Sequence, residues 1–337
     1  MKILVTGGVG YIGSHTCVEL INAGYEPIVI DNYCNAFPEV ADRVKAITGK
    51  SLTVYDADVR DRAALDRIFT EHKIEYVIHF AGLKAVGESC SKPLEYYDNN
   101  IYGTLVLLEA MRAHGVKRIV FSSSATVYGI PVFLPFTEEH PLGNTTNPYS
   151  TSKFQQEQIL RDLYVSDNDW TVVILRYFNP VGAHDSGMIG EDPQGIPNNL
   201  TPYITRVISG QLPCVNVFGN DYKTHDGTGV RDYIHVVDLA KGHVAVIDKL
   251  QKPGVFTYNL GTGVGYSVLD VLHSFEKACG HDIPHKFCPR RPGDIDEFYA
   301  DSTKAKNELG WEAKYNLDDM SKSCINWQTK NPKGYRS

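Results

Sequence analysis

The chain predicts a doubly wound α/β fold, a parallel sheet with helices on both faces, joined to a smaller mixed α/β domain. Three observations carry this. Short apolar runs rich in Ile, Leu and Val recur through the first 179 residues, separated by stretches of helical character. The first run, Lys2 to Thr6, opens directly into glycines at 7, 10 and 13. The second, Pro27 to Ile30, ends in Asp31, 18 residues past Gly13.

Taken in order, Lys2–Thr6 reads as a strand buried on both faces. Gly7 supplies a tight turn, Gly10 lets a phosphate approach the backbone, and Gly13 lets the following helix pack on the strand. His15 to Ile21 has no breaker and reads as helix, stopped by Gly24. Strand, glycine turn and helix offer a helix N-terminus to a diphosphate. An acid about 20 residues further on is placed to hold an adenosine ribose, a role that falls to Asp31. Leu52–Tyr55 is a third strand, followed by Asp56-Ala57-Asp58; Arg62–Phe69 is helical. Tyr76–Phe80 is a fourth strand, then Ala81-Gly82. Pro93 starts a helical stretch to His114, with Gly115 as its stop. Arg118–Phe121 is a fifth strand, ending in Ser122-Ser123-Ser124. Ser150–Tyr164 is helical and Thr171–Leu175 is a sixth strand. Such alternation implies right-handed crossovers, with ligands beyond the carboxyl ends of the strands. The residues to inspect are therefore Asp31, Asp58, Phe80 to Gly82, Ser122 to Ser124, and Tyr177 to Asn179.

Composition shifts after Asn179. Residues 182–199 are rich in Gly, Pro, Asp and Asn and read as a long ordered loop; Val217–Asp232 reads as a second Gly-rich polar stretch. His235–Leu250 is expected to be helical and Phe256–Leu260 a strand. Residues 235–262 are expected to return to the first sheet. The division is then a dinucleotide-binding, Rossmann-type domain over 1–179 and a second domain over 180–337.

The 337 residues are 42% hydrophobic and 22% charged, an ordinary globular composition. Net charge −7 argues against a nucleic-acid surface, and no apolar run approaches the ~20 residues of a membrane span. The start does not read as a signal peptide. Seven scattered cysteines without a C-x-x-C fit reduced thiols in a cytoplasmic protein. No metal site is expected, because Pro284 breaks the one His pair at helical spacing, His281 and His285.

Tyr149 and Lys153 lie four apart at the start of a helix, so both project from one face. A free tyrosine, with pKa ~10, is a poor base at neutral pH. A lysine cation one turn away stabilises the phenolate. The serine run after the fifth strand places a hydroxyl beside them. Together they read as a proton-transfer site next to a hydride acceptor.

Ten segments, among them TGGVGYIGSHT (6–16), HFAGLKAVGES (79–89), FSSSATVYG (121–129), RYFNPVGAH (176–184), GEDPQGIPNNL (190–200) and DGTGVRDYIHV (226–236), resemble the UDP-glucose 4-epimerase family. That family lies within the extended short-chain dehydrogenases/reductases, and the likeness runs over essentially the whole chain. It implies C4 epimerisation of UDP-galactose and UDP-glucose through a 4-keto sugar, tightly held NAD and a homodimer. It implies Ser124, Tyr149 and Lys153 as the catalytic trio. Contacts to NAD would come from Gly7, Gly10, Tyr11, Ile12, Gly13, Asp31, Asn32, Asn35, Asp58 and Val59. Phe80, Ala81, Gly82, Lys84, Asn99, Ser122, Tyr149, Lys153, Tyr177 and Phe178 would complete that set. Contacts to the UDP-sugar would come from Lys84, Ser124, Asn179, Asn199, Leu200, Asn216, Phe218, Arg231, Tyr233, Arg291, Asp294 and Phe298. Arginine forks suit the two phosphates and an aromatic face suits uracil. A related 4,6-dehydratase would carry an acid pair before Val127-Tyr128-Gly129, where this chain has Ala125 and Thr126.

Overall fold

The computed structural model describes residues 1–195, 197, 199–291 and 293–336. The apolar runs of the first half form β1 (Lys2–Thr6), β2 (Glu26–Asp31), β3 (Thr53–Asp56), β4 (Ile74–His79), β5 (Arg118–Ser122) and β6 (Thr171–Tyr177). Between them lie α1 (Tyr11–Asn22), α2 (Glu39–Thr48), α3 (Arg62–Glu71), α4 (Val86–Ser91), α5 (Pro93–Tyr97), α6 (Gly103–Ala113) and α7 (Pro148–Ser166). The second half contributes β7 (Asn179–Val181), α8 (Leu200–Ile208), β8 (Val215–Phe218), β9 (Val230–His235), α9 (Val236–Ala245) and β10 (Gly254–Leu260). It ends with β11 (Gly265–Ser267), α10 (Val268–Cys279), β12 (His285–Cys288), β13 (Glu297–Phe298), α11 (Thr303–Leu309) and α12 (Leu317–Lys330).

Seven strands make one sheet in the order β10-β6-β5-β4-β1-β2-β3, every neighbouring pair parallel. The chain winds outward from β1 in both directions, so the topological switch lies between β1 and β4, where a doubly wound sheet opens its crevice. Side chains alternate between two cores. Ile3 and Val5 join the layer that includes α1 and α9, and Leu4 and Ile28 join the layer of α3, α6 and α7. As expected, the strand at 254–260 returns to this sheet, beside β6. The smaller sheets comprise β9 with β7, β11 and β13, and β8 with β12; they pack on α8, α10 and α12 over a third core.

The elements differ from the sequence reading in several places. Helix α2 goes unrecognised because it buries only Val40 and Val44 and starts at Pro38 without a side-chain cap. The helical stretch from Pro93 is not one α-helix: a π-turn, Asp98–Tyr102, separates α5 from α6. The extra residue aims Asn100 inward, where it accepts from Leu83 N (2.8 Å) and donates to Leu83 O (3.0 Å) and Ser152 Oγ (2.9 Å). The polar stretch 217–232 ends in strands on both sides, the last residues of β8 and the first of β9. The helix from His235 stops at Ala245 and continues as a 3₁₀ turn, Ile247–Gln251.

Under the carboxyl ends of β5 and β6 sits a buried ion pair. Arg176 of β6 donates from Nε (3.0 Å) and Nη2 (2.6 Å) to the two carboxylate oxygens of Glu157 on α7, both side chains being 1% exposed. Ser123 Oγ donates to the same carboxylate at 2.6 Å. Arg176 also donates to Tyr128 OH (3.2 Å), which donates to Asn259 Oδ1 of β10 (2.6 Å). Removing one partner strands the other charge in the core, at ~3–5 kcal/mol. Glu157→Ala is therefore expected to lower unfolding free energy by about that amount in a urea titration. A loss below ~1 kcal/mol would contradict this role.

Candidate active site

One cleft runs along the carboxyl ends of the central strands. Its first half is built by the glycine turn. Gly7 has φ +69°, and its N–H donates to Ile30 O at 2.8 Å, tying β1 to β2. A Cβ on Gly13 would stand 2.2 Å from Gly7 O, so only glycine lets α1 seat this deeply. Gly10 caps α1 with no side chain in the way, and Gly10, Tyr11 and Ile12 line the cleft. Tyr11 OH reaches across to donate to Gly182 O at 2.6 Å.

Asp31 is almost fully buried at the end of β2. Its carboxylate accepts from Val9 N (3.2 Å) and Tyr33 N (3.0 Å). Burial pushes its pKa up and these N–H donors oppose the rise. Further hydroxyl donors would relieve the same penalty. Asn32 donates to Asp58 at 2.8 Å, and the Arg60 guanidinium holds Asp58 down to about 2. Asn35, Asp58, Val59, Phe80, Ala81, Gly82, Lys84 and Asn99 all line the cleft, and Lys84 Nζ pairs with Glu191 at 3.2 Å.

The middle of the cleft gathers Ser124, Tyr149, Lys153, Tyr177 and Phe178. Ser124 follows β5 and its Oγ accepts from Thr126 Oγ1 at 3.0 Å. Tyr149 and Lys153 share one face of α7, whose N-cap Asn147 accepts from Ser150 N at 2.9 Å. Burial raises the Tyr149 pKa and the Ser124 hydroxyl holds it back. Burial also lowers Lys153, to about 8, against the pull of Glu157. Lys153 Nζ donates to Ser122 O at 2.8 Å. Ser122 itself does not line the cleft: its side chain is fully buried behind Tyr177. Its side chain supports the site from below, although the resemblance implies that Ser122 contacts NAD.

The far end places Asn179, Asn199 and Phe298 on the cleft wall. Phe298 packs on Phe136 and Phe178 at centroid distances of 4.6 and 5.3 Å. Beyond it, Arg231 (3.4 Å) and Arg291 (2.9 Å) converge on the carboxylate of Asp294. Two guanidiniums on one carboxylate leave a cationic site. Arg291 also lies 5.2 Å from the Phe218 ring centroid, and Phe218 is 37% exposed. Leu200 and Tyr233 instead pack into the third core, and Asn216 Oδ1 faces Cys288 Sγ at 3.7 Å. Their side chains do not line the cleft among the described residues.

Several residues that shape the site carry no local signal. Asp232, buried in β9, accepts from Thr262 N, Gly263 N and Ala300 N at 2.9–3.2 Å, pinning the backbone behind Phe298. Tyr335 reaches the cleft from the chain end and bonds both backbone groups of Gly190. The fold also brings His225, Asp226 and Asp270 within 4.8 Å at the surface, although no metal spacing is present in the sequence. Ser267 and Thr228 already occupy those carboxylates, and Asp270 is part of the cap of α10.

A doubly wound sheet with this glycine turn, a serine after the fifth strand and Tyr149-x-x-x-Lys153 defines an extended short-chain dehydrogenase/reductase. A family profile described as GDP-mannose 4,6 dehydratase matches residues 4–324. The UDP-glucose 4-epimerase of Bacillus subtilis is 61% identical over 338 residues, covering 100% of this chain and 99% of that protein. A crystal structure of UDP-glucose 4-epimerase from Bifidobacterium longum, in complex with NAD⁺ and UDP, superposes with a TM-score of 0.97 at 64% identity, covering 99% of this chain and 100% of that one. The Stenotrophomonas maltophila enzyme, with bound NAD and formylated UDP-arabinopyranose, gives 0.96 at 48%, covering 99% of each. The chain belongs to the UDP-glucose 4-epimerase family.

Proposed function

We propose that the chain interconverts UDP-galactose and UDP-glucose at C4, with NAD retained between turnovers. The observation that carries this is one cleft with a dinucleotide cradle at one end, Ser124, Tyr149 and Lys153 in its middle, and the Arg231–Asp294–Arg291 cluster beyond it. The residues fit NAD: the Gly7–Gly13 turn has no room for a Cβ at its closest point, and Asp31 offers a buried acceptor where a ribose would lie. NAD, when bound, supplies the acceptor and donor of the C4 hydride.

Tyr149 takes the proton of the sugar 4-hydroxyl as the C4–H bond breaks. It returns that proton to the 4-oxygen when the bond re-forms on the other face. Burial opposes a phenolate at Tyr149 and the Ser124 hydroxyl favours one; the role assigned to the Lys153 ammonium, one turn on along α7, is to stabilise it further. Ser124 hydrogen-bonds the 4-oxygen. Arg231 and Arg291 hold the diphosphate and Phe218 stacks on uracil, which fixes the nucleotide while the 4-keto sugar turns. A dehydratase lacks support here, because Ala125 and Thr126 offer no carboxyl where that chemistry needs one. A cytoplasmic location belongs to the same reading, in keeping with cysteines that are all free.

Tyr149→Phe keeps the ring and removes the proton acceptor. Turnover should fall by ~10²-fold or more with NAD still bound, as for loss of a general base. A drop of less than about tenfold would remove Tyr149 from that role. Phe298 sets the room around the hexose. Forcing an acetamido group against a packed wall costs ~1–3 kcal/mol, roughly 5- to 150-fold in rate. UDP-galactose should therefore be strongly preferred over UDP-N-acetylgalactosamine in kcat/KM, and Phe298→Cys should narrow the gap; equal values on the unaltered chain would show that Phe298 sets no limit.

The same reading includes a homodimer built on the helical stretch 93–113 and α7. Leu94 (77%), Tyr102, Leu105 and Val165 (75%) leave large apolar surface exposed on these elements. Light scattering at micromolar concentration should give twice the chain mass, and a monomer would contradict the dimer.

A further inference from the structure

Keeping the cofactor in place is a demand of the proposed cycle. Once sugar C4 has given up its hydride, loss of the carrier would leave a keto sugar with no reductant. One wall of the cleft is a segment whose contacts meet this demand.

Residues 190–193 line the cleft. On one side Lys84, which follows β4, pairs with Glu191 at 3.2 Å. On the other Asn35, which follows β2, accepts from Gln194 N at 3.3 Å. Strands β4 and β2 flank β1 on opposite sides in the sheet. A segment that touches both therefore crosses over the carboxyl end of β1, where the Gly7–Gly13 turn lies. It forms a strap over that turn.

The strap is fastened from behind. Tyr335, which follows α12, is 6% exposed. Its hydroxyl donates to Gly190 O (3.1 Å) and accepts from Gly190 N (3.0 Å), and its own N–H donates to the Asp192 carboxylate at 2.9 Å. Gly190 lies against the Trp327 ring, 2.6 Å from where a Cβ would stand. At Gly334, with φ +69°, a Cβ would stand 2.0 Å from Asp192, so only glycine brings Tyr335 this close. Arg43 of α2 lies 4.8 Å from the Tyr335 ring centroid and 5.6 Å from that of Trp327, and donates to Met188 O at 2.9 Å. Further along, Arg206 of α8 donates to Pro193 O at 2.8 Å. Lifting the strap breaks several of these bonds at once, and each buried polar group left unpaired opposes the opening.

We infer that Tyr335 is the clasp of this strap, a positioning residue that sets how slowly NAD leaves the cleft. The inference rests on the NAD site of the reading under Proposed function and adds what retains the cofactor there.

The test loads the protein with radiolabelled NAD, chases it with excess unlabelled NAD and follows the label left on the protein by gel filtration. Tyr335→Phe keeps the ring beside Trp327 and Arg43 and removes both bonds to Gly190. It should release label about tenfold faster than the parent, the scale of losing one or two neutral hydrogen bonds. Arg206→Met loosens the other end of the strap without lining the cleft among the described residues, and should also speed release. Release at the parent rate from folded Tyr335→Phe would overturn the inference; Arg206→Met decides it in the same way if the tyrosine variant does not fold. A Tyr335 that merely holds the fold together would weaken both halves of the cleft. The affinity of Tyr335→Phe for UDP, measured by calorimetry, should therefore be unchanged, and a loss of UDP binding that matches the faster release would also overturn the inference. The chase needs no turnover. A chain whose label release responds to Tyr335 but which forms no UDP-glucose would refute the proposed activity and leave the clasp standing.

Discussion

The buried pair of Glu157 and Arg176 is the constraint on which the site's geometry depends. Glu157 lies one turn after Lys153 on α7, and Arg176 immediately precedes Tyr177 on β6. Ser123, which shares the Glu157 carboxylate, precedes Ser124. One ion pair therefore fixes the helix carrying Tyr149 and Lys153, the turn carrying Ser124 and the strand end carrying Tyr177. Through Tyr128 and Asn259 it also ties β10 to this edge of the sheet. Such a pair does little for net stability compared with apolar packing, but its bidentate geometry permits one arrangement.

The two ends of the cleft are built to different standards of rigidity, and the proposed chemistry needs that difference. The cofactor end is backbone packed on backbone, with Gly7, Gly13 and the N–H groups around Asp31 leaving little freedom. Asn100 in the π-turn and Tyr96 OH, which bonds both backbone groups of Ala85, hold the loop between β4 and α4 from behind. The end proposed for the sugar is walled by aromatic faces, Phe298 over Phe136 and Phe178, which offer a ring no hydrogen-bonding groups. A substrate held by its diphosphate and uracil can turn its hexose there, because binding energy is placed away from the part that must move.

Much of this was legible in the sequence, and the residues that were not share a physical cause. The glycine turn, Asp31 and the Tyr149/Lys153 pair are local patterns, fixed by spacings of 3, 4 and 18 residues. The sheet followed from alternation, including the return of residues 254–260. Glu157 meets Arg176 across 19 residues, Ser122 meets His243 across 121, and Tyr335 meets Gly190 across 145. No spacing rule anticipates such pairs. The π-turn at Asp98–Tyr102 is likewise invisible to a periodicity argument, since its cause is the docking of Asn100 against Leu83. Helix α2 has too narrow an apolar face to stand out, with two buried residues in ten. The resemblance assigns Leu200 and Tyr233 to the UDP-sugar, whereas their side chains pack in the third core.

The most direct measurement is the conversion of UDP-galactose by the purified chain with no cofactor added. UDP-glucose should appear, approach an equilibrium mixture from either direction, and leave NAD recoverable from the denatured protein in unchanged amount. A protein that carries NAD yet forms no UDP-glucose, or one that turns over only while NADH accumulates in solution, would contradict the proposed reaction.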